Sequence, residues 1–204
     1  ARINSAPYGL PQIFFGGASG AATEVATSHS DVYLVWGRQP ELEAENIKKL
    51  KAQAAAKGRD LKFGIRLHVI SRDTEDEAWA VADKLLGWVS PEQVANAKNL
   101  AAKSEAVGQS HMTALHAGRE GVPTSARELQ IHPGVWSGYG LVRGGAGTAL
   151  VGSHEQVADL IETYHKAGFD HFIFSGQPHL EGAWHFGEGA AARLKSRGLL
   201  APVS

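Results

Sequence analysis

An arginine and a histidine separated by one residue are the first side chains in this sequence with an evident chemical use. Arg66 and His68 lie in residues 63–71, where apolar residues alternate with glycine or polar residues. Because successive side chains of a strand point to opposite faces, Arg66 and His68 share one face. A guanidinium binds oxyanions, and an imidazole exchanges protons near neutral pH. These residues favour an anion-binding, proton-transferring site, and an internal ion pair with a carboxylate is the alternative.

A second cationic candidate is Arg143, which stands in the glycine-rich run 140–148. Glycine lets a backbone approach an anion closely and lets a loop close over it. The run lacks the spacing of a phosphate-binding P-loop, and no Lys-Ser or Lys-Thr pair follows it. By themselves these residues favour a flexible connector. The functional alternative is a mobile loop that carries Arg143 over a bound anion.

Further candidates stand where predicted strands end. Gly17, Ala18 and Ser19 form a turn before a helix, where backbone N–H groups can hold a phosphate, although many tight turns look the same. Trp36 ends the second strand and either lines a pocket or packs in the core. Gln177 follows the fourth strand. Because α/β proteins keep their sites at the carboxyl ends of the strands, we expect these groups to converge.

The elements that must position these residues are strands alternating with helices. Capping-box spacing of Thr74 with Glu77, and of Ser153 with Gln156, marks two helix starts. Residues 80–152 carry helical patterns and breakers but no fresh core pattern, so we interpret them as an insertion with a mobile loop. The rhythm predicts parallel βα units with strands at residues 11–15, 32–36, 63–71 and 169–175.

Four βα units are half of an eight-stranded barrel. The chain opens on Ala1 rather than methionine, and a strand pattern begins almost at once at Pro11. A half-barrel also leaves two apolar sheet edges without partners. We therefore expect residues 1–204 to form the C-terminal part of a single (β/α)₈ TIM barrel domain whose beginning is absent, with a helical insertion before the last strand.

The composition narrows the class of function. The formal net charge is −1, so nothing global favours nucleic acid or an anionic membrane surface. No apolar run reaches membrane-spanning length. The absence of cysteine excludes a disulfide framework and thiolate metal sites, and no pair of histidines has zinc-motif spacing, so we predict no metal. Any anion specificity must come from a local site.

Taken together, five segments closely resemble the flavin-dependent alkanesulfonate monooxygenases, a family in the bacterial luciferase-like group. Order and spacing agree from about residue 11 to residue 187, nearly the whole chain but only about the C-terminal half of a family member. The segments are residues 15–19 (FGGAS), 33–37 (YLVWG), 63–70 (FGIRLHVI), 140–152 (GLVRGGAGTALVG) and 175–181 (SGQPHLE).

The resemblance implies a barrel of the luciferase-like type and a defined reaction. Reduced flavin mononucleotide (FMNH₂) comes from a separate NAD(P)H-dependent flavin reductase, O₂ is the co-substrate, and the carbon–sulfur bond of an alkanesulfonate is cleaved to give sulfite and an aldehyde. The implied protein is a cytoplasmic homo-oligomer that needs neither a membrane nor nucleic acid.

The resemblance also assigns roles to residues. Arg66, His68 and Arg143 match active-site positions and Trp36 matches a pocket position. Gly17, Ala18 and Ser19 match the turn that holds the flavin phosphate.

One departure from the family pattern concerns the substrate. Where the family has tyrosine in Ser-Gly-Tyr-Pro-His, this chain has Gln177, which can hydrogen-bond to a substrate but cannot act as a phenol acid. Two alternatives therefore stay open: a related luciferase-like monooxygenase acting on another small or organosulfur compound, or a non-catalytic fragment. A flavin-free phosphate-binding barrel is a weaker option, because Arg66 and His68 have no evident role in it.

Overall fold

The computed structural model describes residue 9 and residues 11–118, 121–141 and 144–200. The strands, in chain order, are β1 (Phe14–Gly16), β2 (Val32–Trp36), β3 (Lys62–Arg72), β4 (Gln130–His132), β5 (Val135–Trp136), β6 (Ala149–Ser153) and β7 (His171–Ser175). The α-helices are α1 (Gly20–His29), α2 (Pro40–Ala55), α3 (Glu75–Leu86), α4 (Pro91–Ala102), α5 (Val107–Ala114), α6 (His154–Lys166), α7 (His179–His185) and α8 (Ala192–Ser196).

Four parallel strands in the order β1-β2-β3-β7 form the centre of the sheet. They are the four strands that the sequence predicts. Helix α1 follows β1, and helix α2 follows β2. This is a parallel βα arrangement, and it is consistent with part of a TIM barrel. That they are the C-terminal half of the barrel stays a prediction.

The central strand β3 is long enough to take two partners along one edge. Its first half pairs with β2, its second half pairs in parallel with β6, and β7 lies along the opposite edge. The hydroxyl of Thr148 donates to the carbonyl of Gly37 at 2.7 Å, which joins the start of β6 to the end of β2. The second half of β3 therefore extends the sheet beyond the four central strands.

The insertion contains strands that the sequence did not predict. β4 pairs with β5 and β5 pairs with β6, both antiparallel, so the insertion, which we expected to be helical with a mobile loop, also contains strands. The physical reason is that β4 and β5 are only three and two residues long, too short to show a period. The first four residues of β6 are all buried, so β6 shows no alternation either.

The apolar face of β3 packs as predicted. Phe63, Ile65 and Leu67 are fully buried and Val69 nearly so, in a core shared with residues of α2, α6 and α8. A second cluster lies between α3, β6 and the insertion and includes Trp79. Both predicted capping boxes are present, at the starts of α3 and α6. None of the helices in the described ranges is long and apolar enough to cross a membrane.

Candidate functional site

A cavity of about 850 Å³ opens at the carboxyl ends of the central strands. Its walls come from the ends of β1, β2, β3 and β7, the starts of α1 and α2, and α5. Ligand pockets in proteins usually enclose about 300–1,000 Å³, so the cavity is large enough for a cofactor or substrate. The lining residues include Gly17, Ala18, Ser19, Leu34, Trp36, Arg38, Glu43, Arg66, Val107, His111, Ile173, Phe174 and Ser175.

Arg66 and Trp36 line one part of this cavity, at adjacent positions of β3 and β2. Beneath them, Gly64 makes room for Leu34, because a Cβ on Gly64 would lie 2.4 Å from Leu34 Cδ2. The Trp36 ring lies over Gly108 of α5, where an added Cβ would come within 3.3 Å of the ring. The structure therefore brings Arg66 and Trp36 together with apolar walls.

His68 is placed behind the cavity rather than in its wall. The side chain is 1% exposed and stacks on Tyr139, with ring centroids 4.0 Å apart. Its Nε2 lies 3.2 Å from the carbonyl oxygen of Ala146, and its Nδ1 lies 3.1 Å from the hydroxyl of Ser175. Ser175 itself lines the cavity. His68 thus reaches the cavity through Ser175, a residue that sequence reasoning did not single out.

The turn at residues 17–19 lines the same cavity and leads into α1. Ser19 caps the helix by accepting a hydrogen bond from the backbone N–H of Ala22 at 3.2 Å. A Cβ on Gly17 would lie 2.8 Å from Ala22 Cβ, so the turn requires glycine there. The hydroxyl of Tyr33 stabilises the turn by donating a hydrogen bond to the carbonyl oxygen of Gly17. The N-terminus of α1, with its partial positive charge, therefore lies at the cavity.

A buried ion pair in the cavity wall was missed by sequence reasoning. Glu43 is 1% exposed, its Oε1 accepts from Arg38 Nε at 2.7 Å, and its Oε2 has no hydrogen-bond partner among the described residues. Burial raises the pKa of the Glu43 carboxyl, and the charge of Arg38 partly opposes this rise. In the sequence, Glu43 looks like Glu41, the other acidic residue in the first turn of α2, so no local signal distinguishes it.

The remaining predicted residues are less involved or lie elsewhere. Arg143 falls outside the described residues, so its position is a prediction only; beyond it, the N–H of Gly145 donates to Gln109 Oε1 at 3.0 Å. Gln177 follows β7 but is not among the described residues that line the cavity. His111 also lines the cavity, and burial, followed by the charge of Arg38, lowers its pKa.

These features coincide with a known family. The chain belongs to the luciferase-like monooxygenase family, whose model matches residues 1–171.

Solved structures of similar fold include a riboflavin lyase, at 22% identity and a TM-score of 0.66 over 94% of this chain and 44% of that chain. DmoA from Hyphomicrobium sulfonivorans has 22% identity and a TM-score of 0.69 over 94% and 42%. A long-chain alkane monooxygenase, LadA, has 20% identity and a TM-score of 0.65 over 95% and 43%. The chain spans less than half the length of each of these three proteins, and identities this low establish the fold alone.

Proposed function

We propose that the full-length protein is a reduced-flavin-dependent monooxygenase that cleaves the carbon–sulfur bond of alkanesulfonates, giving sulfite and an aldehyde. The observation that carries the proposal is a single cavity lined both by Arg66 and by the turn at residues 17–19. One cationic group and one helix N-terminus are suited to two anions, a sulfonate and a flavin phosphate. The family of the chain and the five family-like segments agree with this assignment.

The described residues fit flavin mononucleotide in shape and chemistry. The N-terminus of α1, with Gly17, Ala18 and Ser19, offers backbone N–H groups for the phosphate. Apolar walls at Trp36 and Ile173 suit a flat aromatic ring. The negative charge of Glu43 is paired with Arg38, so it does not oppose an anionic ligand strongly.

When bound, the reduced flavin supplies the reaction with O₂, and the residues of this chain supply binding, orientation and electrostatics. Arg66 holds the sulfonate and stabilises negative charge that develops on its oxygens. Trp36 packs beside the alkyl group. Arg143, on its glycine-rich loop, adds a second cation above the same anion and helps to exclude water when the loop closes. His68, which lies behind the cavity wall, takes up and returns a proton during the reaction.

The wider setting is part of the same proposal. An NAD(P)H-dependent flavin reductase delivers the reduced flavin, and the protein works as a homo-oligomer in the cytoplasm. These assignments rest on the family resemblance of the sequence.

A second candidate substrate class follows from Gln177. A glutamine in place of the family tyrosine offers an amide rather than a phenol near the end of β7, which favours a different small or organosulfur substrate. The same cavity and flavin would then act on a substrate with another anionic or polar head group.

Sulfite release tests the function directly. Full-length protein is supplied with FMNH₂ from a flavin reductase, O₂ and a series of alkanesulfonates. We expect Arg66→Ala to lower kcat/KM by about a hundredfold or more, because one anion-binding group is lost from a water-poor site. The matched control is Arg127→Ala, which removes a surface ion pair with Glu75 and should leave turnover unchanged.

The outcomes separate the alternatives. Absence of sulfite with every alkanesulfonate, together with oxidation of another organosulfur compound, would support the second substrate class. Undiminished turnover in Arg66→Ala would remove Arg66 from the site.

A further inference from the structure

The hydrogen-bond directions around His68 are settled by its partners. A carbonyl oxygen only accepts, so Nε2, which lies 3.2 Å from Ala146 O, carries the ring hydrogen of the neutral imidazole. The other nitrogen, Nδ1, is then an acceptor, and the hydroxyl of Ser175 at 3.1 Å donates to it. Stacking on Tyr139 holds the ring plane in this orientation. Neutral His68 is therefore a base whose Nδ1 lone pair accepts the hydroxyl of Ser175.

Direct contact between His68 and a bound ligand is blocked in this arrangement. The side chain is 1% exposed, and both ring nitrogens are engaged with Ala146 and Ser175. Ser175 lies opposite His68 in the register of β3 and β7 and is half-buried, with one side on His68 and the other on the cavity. Its oxygen, having donated its hydrogen to His68, offers lone pairs to a ligand.

We propose that Ser175 is a catalytic residue that relays protons between the cavity and His68, so that His68 acts as a general base without touching the ligand. An acidic O–H or N–H group of the bound ligand gives its proton to Ser175 Oγ as the original Ser175 hydrogen passes to His68 Nδ1. The ligand keeps the electron pair, Ser175 stays a neutral hydroxyl, and His68 becomes an imidazolium whose Nε2–H remains on Ala146 O. The reverse movement returns the proton. The relay rests on the proposed function only for the identity of the ligand.

The molecule contains a matched control for this relay. Ser71 Oγ lies 2.7 Å from Nδ1 of His154, so the same two side chains meet in the same way. Ser71, however, is 2% exposed and is not among the described residues that line the cavity. The two pairs differ in access and share their chemistry.

A test that needs no turnover uses cysteine at each serine position. In Ser175→Cys the neighbouring His68 should draw the thiol towards its thiolate form, and the cavity should admit iodoacetamide. In Ser71→Cys the neighbouring base is present but access is closed. We expect alkylation at position 175 to be about tenfold or more faster than at position 71, measured by mass spectrometry of the corresponding peptides. Adding His68→Gln to Ser175→Cys should slow the reaction by a similar factor.

Equal rates at the two positions would overturn the inference about access, and a rate independent of His68 would overturn the coupling. Both results can be read even if the protein releases no sulfite, so failure of the relay and failure of the proposed function are distinguishable.

A second test measures turnover, with any substrate that the full-length enzyme oxidises. Ser175→Ala should lower kcat by about tenfold to a hundredfold with KM within about twofold, because proton transfer is lost and binding is kept. Ser175→Thr keeps a hydroxyl and should recover most of kcat. Ser71→Ala should leave kcat unchanged. A Ser175→Thr variant as slow as Ser175→Ala, or a wild-type kcat in Ser175→Ala, would contradict the relay.

Discussion

Two serine–histidine pairs lie along the second half of β3, and they differ in what lies beyond each serine. His68 with Ser175 stands beside the cavity, and His154 with Ser71 stands at the end of the strand. In both pairs the second ring nitrogen faces an oxygen acceptor, Ala146 O at 3.2 Å for His68 and Asp73 Oδ1 at 3.3 Å for His154. The pair His68–Ser175 therefore takes part in the proposed proton relay, because its hydroxyl meets the cavity. The pair His154–Ser71 has no access to the cavity and contributes to packing; we call it the closed pair.

The closed pair is sealed by an irregular helix. Residues Phe186–Ala191 form a π-helical turn between α7 and α8. Within it, Gly189 lies so close to His154 that an added Cβ would stand 2.1 Å from Nδ1. A π-helical turn is often associated with a functional site, but here it brings a glycine against a buried ring.

The largest loss of stability should come from overpacking the contact between Gly189 and His154. Gly189→Ala forces a methyl group into the His154 ring, and overpacking of this kind destabilises by about 2–3 kcal/mol. Urea unfolding of the full-length protein should show a correspondingly lower midpoint. The control is Gly187→Ala in the same turn, where an added Cβ meets nothing within 4 Å and should be neutral or slightly stabilising. Equal midpoints for the two variants would mean that the contact between Gly189 and His154 can accommodate an added methyl group.

The second largest effect should be a pH dependence of stability that comes from His154 in the closed pair. Burial, followed by the charge of Arg193, lowers the pKa of His154 from its usual 6.5, so the folded protein favours the neutral ring. The unfolded chain binds the extra proton first as the pH falls, so this contribution to stability is complete above about pH 6.5 and is lost below it.

Unfolding midpoints at pH 7.5 and pH 5.5 measure the effect, with both values chosen to bracket the usual histidine pKa of about 6.5. His154→Gln should be less stable at the higher pH and should show a smaller difference between the two. His179→Gln, at an exposed histidine, is the control. An unchanged difference in His154→Gln would remove His154 as its source.

The smallest effect should come from removing the hydroxyl of the closed pair. Ser71→Ala leaves His154 Nδ1 without its 2.7 Å partner, which costs about 1 kcal/mol of stability. Ser175→Ala should cost less stability, since Ser175 is half-buried and water in the cavity can replace the lost bond. Ser71→Ala should therefore lower stability and keep turnover, whereas Ser175→Ala should lower turnover and cost less stability. A loss of turnover in Ser71→Ala would erase the distinction between the pairs.

Local pattern was sufficient for much of the framework. Alternation along residues 63–71 predicted that Phe63, Ile65, Leu67 and Val69 pack in the core, and the structure confirms it. Capping boxes predicted the starts of α3 and α6. These features depend on neighbours a few residues apart, so the chain encodes them locally.

The tertiary structure alone decided which groups meet. His68 and Ser175 are 107 residues apart, and His154 and Ser71 are 83 apart; the register of β7 against β3 and the docking of α6 bring each pair together. The burial of Glu43 and the short strands β4 and β5 were equally hidden from local pattern. Arg66 could be placed on its face from the sequence, but access to the cavity depends on what packs around a side chain, and that is a property of the whole fold.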